Sequence, residues 1–170
     1  MTRSSNDATA PPPLVIGVGN DIRGDDAAGL RVARELRAQV ENGVRVVESQ
    51  GEVTELLDLW DGQERVYLVD ALQSGGLPGS WRRVAVGNEP LPSSVAGTST
   101  HGLSIASAVA LGQILGRMPR QLVLYGIEAT RFEPGTEPCP EVLEGVLQVT
   151  RALAEELESP LAPMTDAARS

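Results

Sequence analysis

The feature that most constrains this chain is an alternation. Short apolar, often β-branched runs at 14–19, 44–47, 66–69, Trp81–Val86 and 122–127 are separated mostly by segments with apolar residues at helical spacing. Leu30, Ala33, Leu36 and Val40 form one such stripe, and Val53, Leu56, Leu57 and Trp60 a second. Val142, Leu143, Val146, Leu147, Val149, Leu153 and Leu157 form another, and Gly102–Leu115 is rich in Ala, Leu and Ile. Continuous apolar runs suit strands buried on both faces, as in a parallel sheet. Strands that alternate with helices need crossover connections, and right-handed crossovers put helices on both faces of the sheet. The expected fold class is therefore α/β, a three-layer sandwich around a mostly parallel sheet. The more polar run Trp81–Val86 is expected at an edge.

A chain of 170 residues suits one domain. The expected domain covers 13–158. The polar segment 1–12, which runs into Pro11-Pro12-Pro13, is expected to be a disordered lead-in, and 159–170 a flexible tail. No run reaches the ~20 apolar residues of a membrane span. The first residues lack the apolar centre of a secretory signal. A cytoplasmic protein is the expectation.

Rare residues exclude several chemistries. The chain has one Cys, Cys139, and one His, His101. It therefore has no internal disulfide, CxxC redox pair, Cys-rich zinc site or His-rich metal site. Fourteen basic against 23 acidic residues give a net charge of -9, with the arginines scattered. Nucleic-acid binding needs a basic patch, and single-strand binding needs aromatic platforms, so neither is expected.

In open α/β sheets ligands bind beyond the C-terminal ends of strands, where the strand order reverses. The first strand runs into Gly17-Val18-Gly19-Asn20-Asp21-Ile22-Arg23-Gly24-Asp25-Asp26. The dinucleotide fingerprint fails there, because Ile22 stands where its third glycine belongs and the loop holds three aspartates. No GK[ST] occurs, so the loop is no Walker A site, and no organic cofactor is expected. Gly17 and Gly19 allow close backbone approach. Asn20 is suited to an Asx turn. Asp25 is a reasonable helix N-cap with Asp26 in the first turn, and both would be favoured by the helix dipole. Asp70 ends the apolar run 66–69 and is expected at the sheet rim. His101 precedes a helix, where a capping role is an ordinary reading.

Considered jointly, Asp26, Asp70 and His101 would meet in one crevice if the first and third strands are neighbours. Two carboxylates and an imidazole suit a divalent transition ion with open positions. Without metal the same trio serves as general acid and base. There is no GxSxG elbow. A Cys139–His101 nucleophile pair is conceivable, but Cys139 lies between two prolines and reads as a spare loop residue.

These residues carry a resemblance. The chain resembles the [NiFe]-hydrogenase maturation proteases. The residues concerned are Gly17-Val18-Gly19-Asn20 with Gly24, Asp25-Asp26 and Gly29; Asp70-Ala71 after its strand; Thr100-His101 opening a helix; and Tyr125-Gly126-Ile127-Glu128 followed by Phe132-Glu133-Pro134-Gly135. The four motifs occur in the family's order over about 14–150. The resemblance implies an α/β/α sandwich around a five-stranded, mostly parallel sheet with one antiparallel strand. It implies an endopeptidase that removes the C-terminal extension of a [NiFe]-hydrogenase large-subunit precursor after nickel insertion. Asp26, Asp70 and His101, each from its own motif, would be the catalytic, metal-contacting residues, with Gly17, Gly19, Asn20, Gly24 and Asp25 as the supporting loop. The nickel would be carried by the substrate. Ser49-Gln50-Gly51 stands where several relatives have Asp-Gly-Gly, which bears on the class of hydrogenase served. Two other readings stay open: a checkpoint or chaperone that senses nickel loading without cutting, and a small-molecule hydrolase on the same fold.

Overall fold

A computed structural model describes residues 11–40, 43–88, 91–92 and 102–159, with the backbone alone at 102 and 103. The order of elements is β1 (Leu14–Val18), a 3-10 turn (Gly24–Ala27), α1 (Ala28–Gln39), β2 (Arg45–Ser49), α2 (Val53–Trp60), β3 (Arg65–Leu72) and β4 (Trp81–Val86). After these come α3 (Gly102–Leu115), β5 (Gln121–Glu128) and α4 (Pro140–Glu158). The expected segments 1–12 and 159–170 lie almost wholly outside the described residues.

The five strands form one sheet in the order β2-β1-β3-β5-β4. β1 pairs in parallel with β2 and β3, and β3 with β5, while β4 closes the edge antiparallel to β5. Side chains alternate across the pleat, so β1, β3 and β5 feed two cores. Val15, Tyr67, Val69, Val123 and Tyr125 pack on one face with Val32 and Leu36 of α1 and Val142 and Val149 of α4. Leu14, Ile16, Leu68 and Leu124 pack on the other with Leu56 and Trp60 of α2 and Ile105 and Val109 of α3. The result is the expected three-layer α/β sandwich, with β4 as the polar edge. The alternating burial of β4 fits that position.

α1 lies against the C-terminal ends of β1 and β3. A Cβ on Gly29 would come 2.2 Å from the Val69 carbonyl oxygen and 2.3 Å from that of Val18. A Cβ on Gly17 would come 2.3 Å from the Gly29 carbonyl oxygen. Only residues without side chains permit this approach, and it fixes where the loop between β1 and α1 must run.

One boundary differs in a way that matters. Asp70 is not at the end of its strand. β3 continues through Ala71 and Leu72, pairing Asp70, Ala71 and Leu72 with Gly126, Ile127 and Glu128 of β5. Ala71 and Leu72 are buried and extend the apolar pattern past the aspartate, and Asp70 itself is only 1% exposed. Gly126 makes the register feasible, since a Cβ there would sit 2.2 Å from a Leu72 methyl.

Candidate active site

The order of the sheet reverses between β1 and β3, and this is where an α/β sheet places its ligand. The last β1–β3 pair is Gly17 with Val69. Asp70 is therefore the first residue of β3 beyond that pairing. The Ala71 N–H donates to the Asp70 Oδ1 over 2.8 Å. From β1 the chain turns through Asn20, whose Oδ1 accepts the Ile22 N–H at 3.0 Å, the expected Asx turn. Gly19 passes so close to the turn that a Cβ would lie 2.2 Å from the Asp26 carbonyl oxygen. The 3-10 turn that carries Asp26 packs against β3. Asp26, on the turn that follows β1, and Asp70, on β3, are thus two carboxylates at the switch point, each 1% exposed.

His101 lies outside the described residues. Among the described residues no three His, Cys, Asp or Glu side chains group closely enough to hold an ion. The described part of the expected set is the pair Asp26 and Asp70, whose hard oxygen donors are the right chemistry for a divalent cation.

Asp25 differs from its expected role. It is not the N-cap of α1. It lies inside the 3-10 turn, and Ala27 caps α1 without a side-chain bond. Its carboxylate turns into the protein, fully buried, toward the loop after β5. Oδ2 accepts the N–H groups of Thr130 and Arg131 at 2.9 and 2.8 Å, and Oδ1 accepts that of Cys139 at 2.7 Å. The Asp25 N–H in turn donates to the Arg131 carbonyl at 2.7 Å. A buried carboxylate is tolerated when charge-assisted backbone bonds satisfy it. Cys139 is likewise no spare residue. It is buried at the N-terminus of α4 with its Sγ 3.5 Å from Asp25 Oδ2, and burial pushes its thiol pKa up.

The two loops are zipped elsewhere too. The Gly135 N–H donates to the Ile22 carbonyl at 2.7 Å, Arg23 pairs with Thr136 in a β-bridge, and Arg23 Nε donates to the Phe132 carbonyl at 3.3 Å. Gly24, at φ 54°, fits against Thr136 and Arg131 where a Cβ would overlap both. At the far end of β5, Glu128 is 3% exposed and accepts from the Ser74 N–H at 3.1 Å, from the Ser74 hydroxyl, and from Arg82 at 3.2 Å. It thereby fixes the loop that follows Asp70. No local sequence signal marks out Arg23, Ser74 or Arg82, and Glu128 and the Phe132–Gly135 stretch stand out only as motif members.

A cleft of about 410 Å³ opens beside this site, lined by Gly19, Asn20, Asp21, Glu48, Ser49 and Gln50 among others. The departing Ser49-Gln50 pair therefore faces open space at the ends of β1 and β2. Arg34 braces two of these lining residues. It binds Asp21 through both nitrogens at 2.8 and 2.7 Å and Glu48 at 2.6 Å. The Arg34 hydrogen bond holds the Asp21 carboxyl below its ordinary range, and Arg34, with Arg37, does the same for Glu48.

A three-layer α/β sandwich with two buried carboxylates at its switch point defines the class as α/β proteins that bind a ligand at the strand ends. The comparisons narrow it. A profile of the hydrogenase maturation protease family matches residues 30–156. The "Hydrogenase 2 maturation protease" of Escherichia coli strain K12 is 30% identical over 150 residues, 84% of this chain and 90% of that protein. The hydrogenase expression/formation protein HupD of Bradyrhizobium diazoefficiens is 26% identical over 71% of this chain, a match that spans 64% of HupD. The structure of the [NiFe] hydrogenase maturation protease HybD from Thermococcus kodakarensis superposes with a TM-score of 0.69 at 28% identity, covering 87% of this chain and 99% of that one. The chain belongs to the hydrogenase maturation protease family, a family of peptidases. No helix among the described residues is long and apolar enough to cross a membrane.

Proposed function

We propose that this protein is the endopeptidase that removes the C-terminal extension of a [NiFe]-hydrogenase large-subunit precursor after nickel insertion, and that Asp26, Asp70 and His101 contact the nickel carried by that substrate. The observation that supports this most is the placement of Asp26 and Asp70. Two motifs separated by 44 positions of sequence supply two buried carboxylates at the switch point, one from the turn after β1 and one from β3 itself. The protein then has no need of a resident metal. Its carboxylates and imidazole read the ion on an incoming precursor and so couple cleavage to loading. A substrate-held cation also polarises whatever carbonyl or water lies beside it. The hydrolysis adds water across one peptide bond, leaving a new carboxylate on the subunit and a free amine on the released tail. We place the reaction in the cytoplasm, a reducing compartment that suits the free thiol of Cys139.

Intact-mass measurement of the nickel-loaded precursor before and after incubation tests the reading. Loss of the tail mass is expected with the wild-type protein. Asp26→Asn, Asp70→Asn and His101→Ala should each slow release about 100-fold or more while the fold is retained. No cleavage of the loaded precursor, with stable association instead, would favour the checkpoint reading and sink this one.

A further inference from the structure

We propose that Arg23 is a catalytic residue of this peptidase, its guanidinium binding the scissile carbonyl oxygen and stabilising the oxyanion formed there. The proposal rests on the proteolytic reading above. Arg23 opens the 3-10 turn that carries Asp26, and its Nη1 stands 3.9 Å from Asp26 Oδ2. That is an ion-pair separation, too long for a hydrogen bond. Among the described residues the guanidinium's one hydrogen bond runs from Nε to the Phe132 carbonyl at 3.3 Å. Arg34 and Arg83 are quite different. Both are locked on carboxylates through two nitrogens at short distances. Among the described residues the outer half of the Arg23 donor fork makes no hydrogen bond and stands only at ion-pair distance from Asp26. Its side chain is 32% exposed against 1% for Asp26, which puts the guanidinium at the mouth of the site.

The backbone holds it there. The Arg23 N–H donates to the Asn20 carbonyl at 3.4 Å, the Arg23 carbonyl accepts the Asp26 N–H at 3.0 Å, and the bridge to Thr136 fixes the outer side. A donor fork tethered at Nε and at its own backbone needs little reorganisation when charge develops beside it, which is what makes such groups effective in catalysis. The chemistry calls for one. The other proposed members of the site are two carboxylates and an imidazole, and a peptide bond under attack by water accumulates negative charge on oxygen.

The water oxygen forms a bond to the scissile carbonyl carbon, and the π pair moves onto the carbonyl oxygen, where the Nη–H donors of Arg23 receive it. The tetrahedral centre then collapses. The C=O bond re-forms, the C–N bond breaks, and its electron pair stays on nitrogen, which takes one proton from the attacking water. The second proton leaves to solvent, and the new C-terminus is a carboxylate.

The test compares Arg23→Gln, which removes the charge, with Arg23→Lys, which keeps it but loses the fork. Both are assayed below their melting midpoints on the nickel-loaded precursor, with tail release followed by mass. We expect Arg23→Gln to lower kcat by about 100-fold or more with KM within about threefold of wild type. Arg23→Lys should recover about a tenth of the wild-type kcat or better. A raised KM with unchanged kcat would make Arg23 a docking residue and overturn the proposal, as would kcat within about fivefold of wild type in Arg23→Gln. Equal loss in the two variants would also overturn it, since the Phe132 tether, not the charge, would then be what mattered. If the wild type itself releases no tail, the proteolytic reading falls first and this one with it.

Discussion

At the scale of single residues, the adjacent aspartates show how one motif divides its labour. Asp26 stands at the switch point, whereas Asp25 turns the other way and binds three backbone N–H groups of the loop between β5 and α4. Asp25→Asn keeps the shape but puts an amide NH₂ opposite at least one N–H donor. Leaving buried donors unsatisfied costs about 1–3 kcal/mol, and more when a charge-assisted bond is lost. Urea unfolding of Asp25→Asn should therefore show a loss of about 2–4 kcal/mol. A loss under about 0.5 kcal/mol would show that the pin carries no weight. Cys139 belongs to the same unit. Buried, and with its thiol pKa raised by that burial, it should resist iodoacetamide in the native protein and react once urea unfolds it. Rapid native labelling would mean that the loop opens readily.

At the scale of elements, the approach of α1 to the sheet is the most exacting contact in the site. Gly29 faces two carbonyl oxygens, of Val18 and Val69, with no flexible side chain that could yield. Gly29→Ala must push the helix away from β1 and β3 or displace both strands. Overpacking of this kind costs about 1–3 kcal/mol, and because the displaced helix follows the Asp26 turn, tail release should fall as well. An unchanged urea midpoint and unchanged release in Gly29→Ala would contradict the close packing. The elements themselves were legible in the sequence, because apolar runs and helical stripes are local signals. All five strands and all four described helices fall within a few residues of expectation. The Asx turn at Asn20 was equally readable. What could not be read were partnerships across long stretches of chain. Nothing local tells that Asp25 bonds to Cys139, 114 residues on. Nor does an aspartate that interrupts an apolar run reveal that β5 pairs the strand through to Leu72. The cap assignment for Asp25 failed for the same reason, since a distant loop outcompeted the local helix end.

At the scale of the whole molecule, acidity should decide where the fold gives way. Among the described residues, three carboxyls are held below their ordinary values of 3.8 for Asp21 and 4.5 for Glu48 and Glu156. Asp21 and Glu48 owe this to Arg34 and are partly open to solvent, so salt and water screen much of the effect. Glu156 is more enclosed. Burial pushes its carboxyl up, but Arg83, at 2.9 and 2.6 Å, and the Tyr125 hydroxyl pull it further down. A carboxyl depressed on folding stabilises fully above its unfolded pKa and loses that contribution as pH falls through its folded one. The melting temperature should therefore hold from neutral pH to about 5 and decline below it. Tyr125 acts at the other end. Burial and the neighbouring Glu156 raise its pKa above the ordinary 10.0, so its contribution is whole below that value and fades as pH rises beyond it. Because Glu156 joins Arg83 of β4 to Tyr125 of β5 and lies on α4, its pair ties the edge strand to the outer helix. Glu156→Gln should lower the neutral-pH melting temperature and flatten the decline below pH 5, more than Asp21→Asn does. Adding 1 M salt should shrink the Asp21 effect and spare most of that of Glu156, since the Debye length there is about 3 Å. An acid decline as steep in Glu156→Gln as in wild type would assign acid sensitivity to other carboxyls and remove this pair from the account.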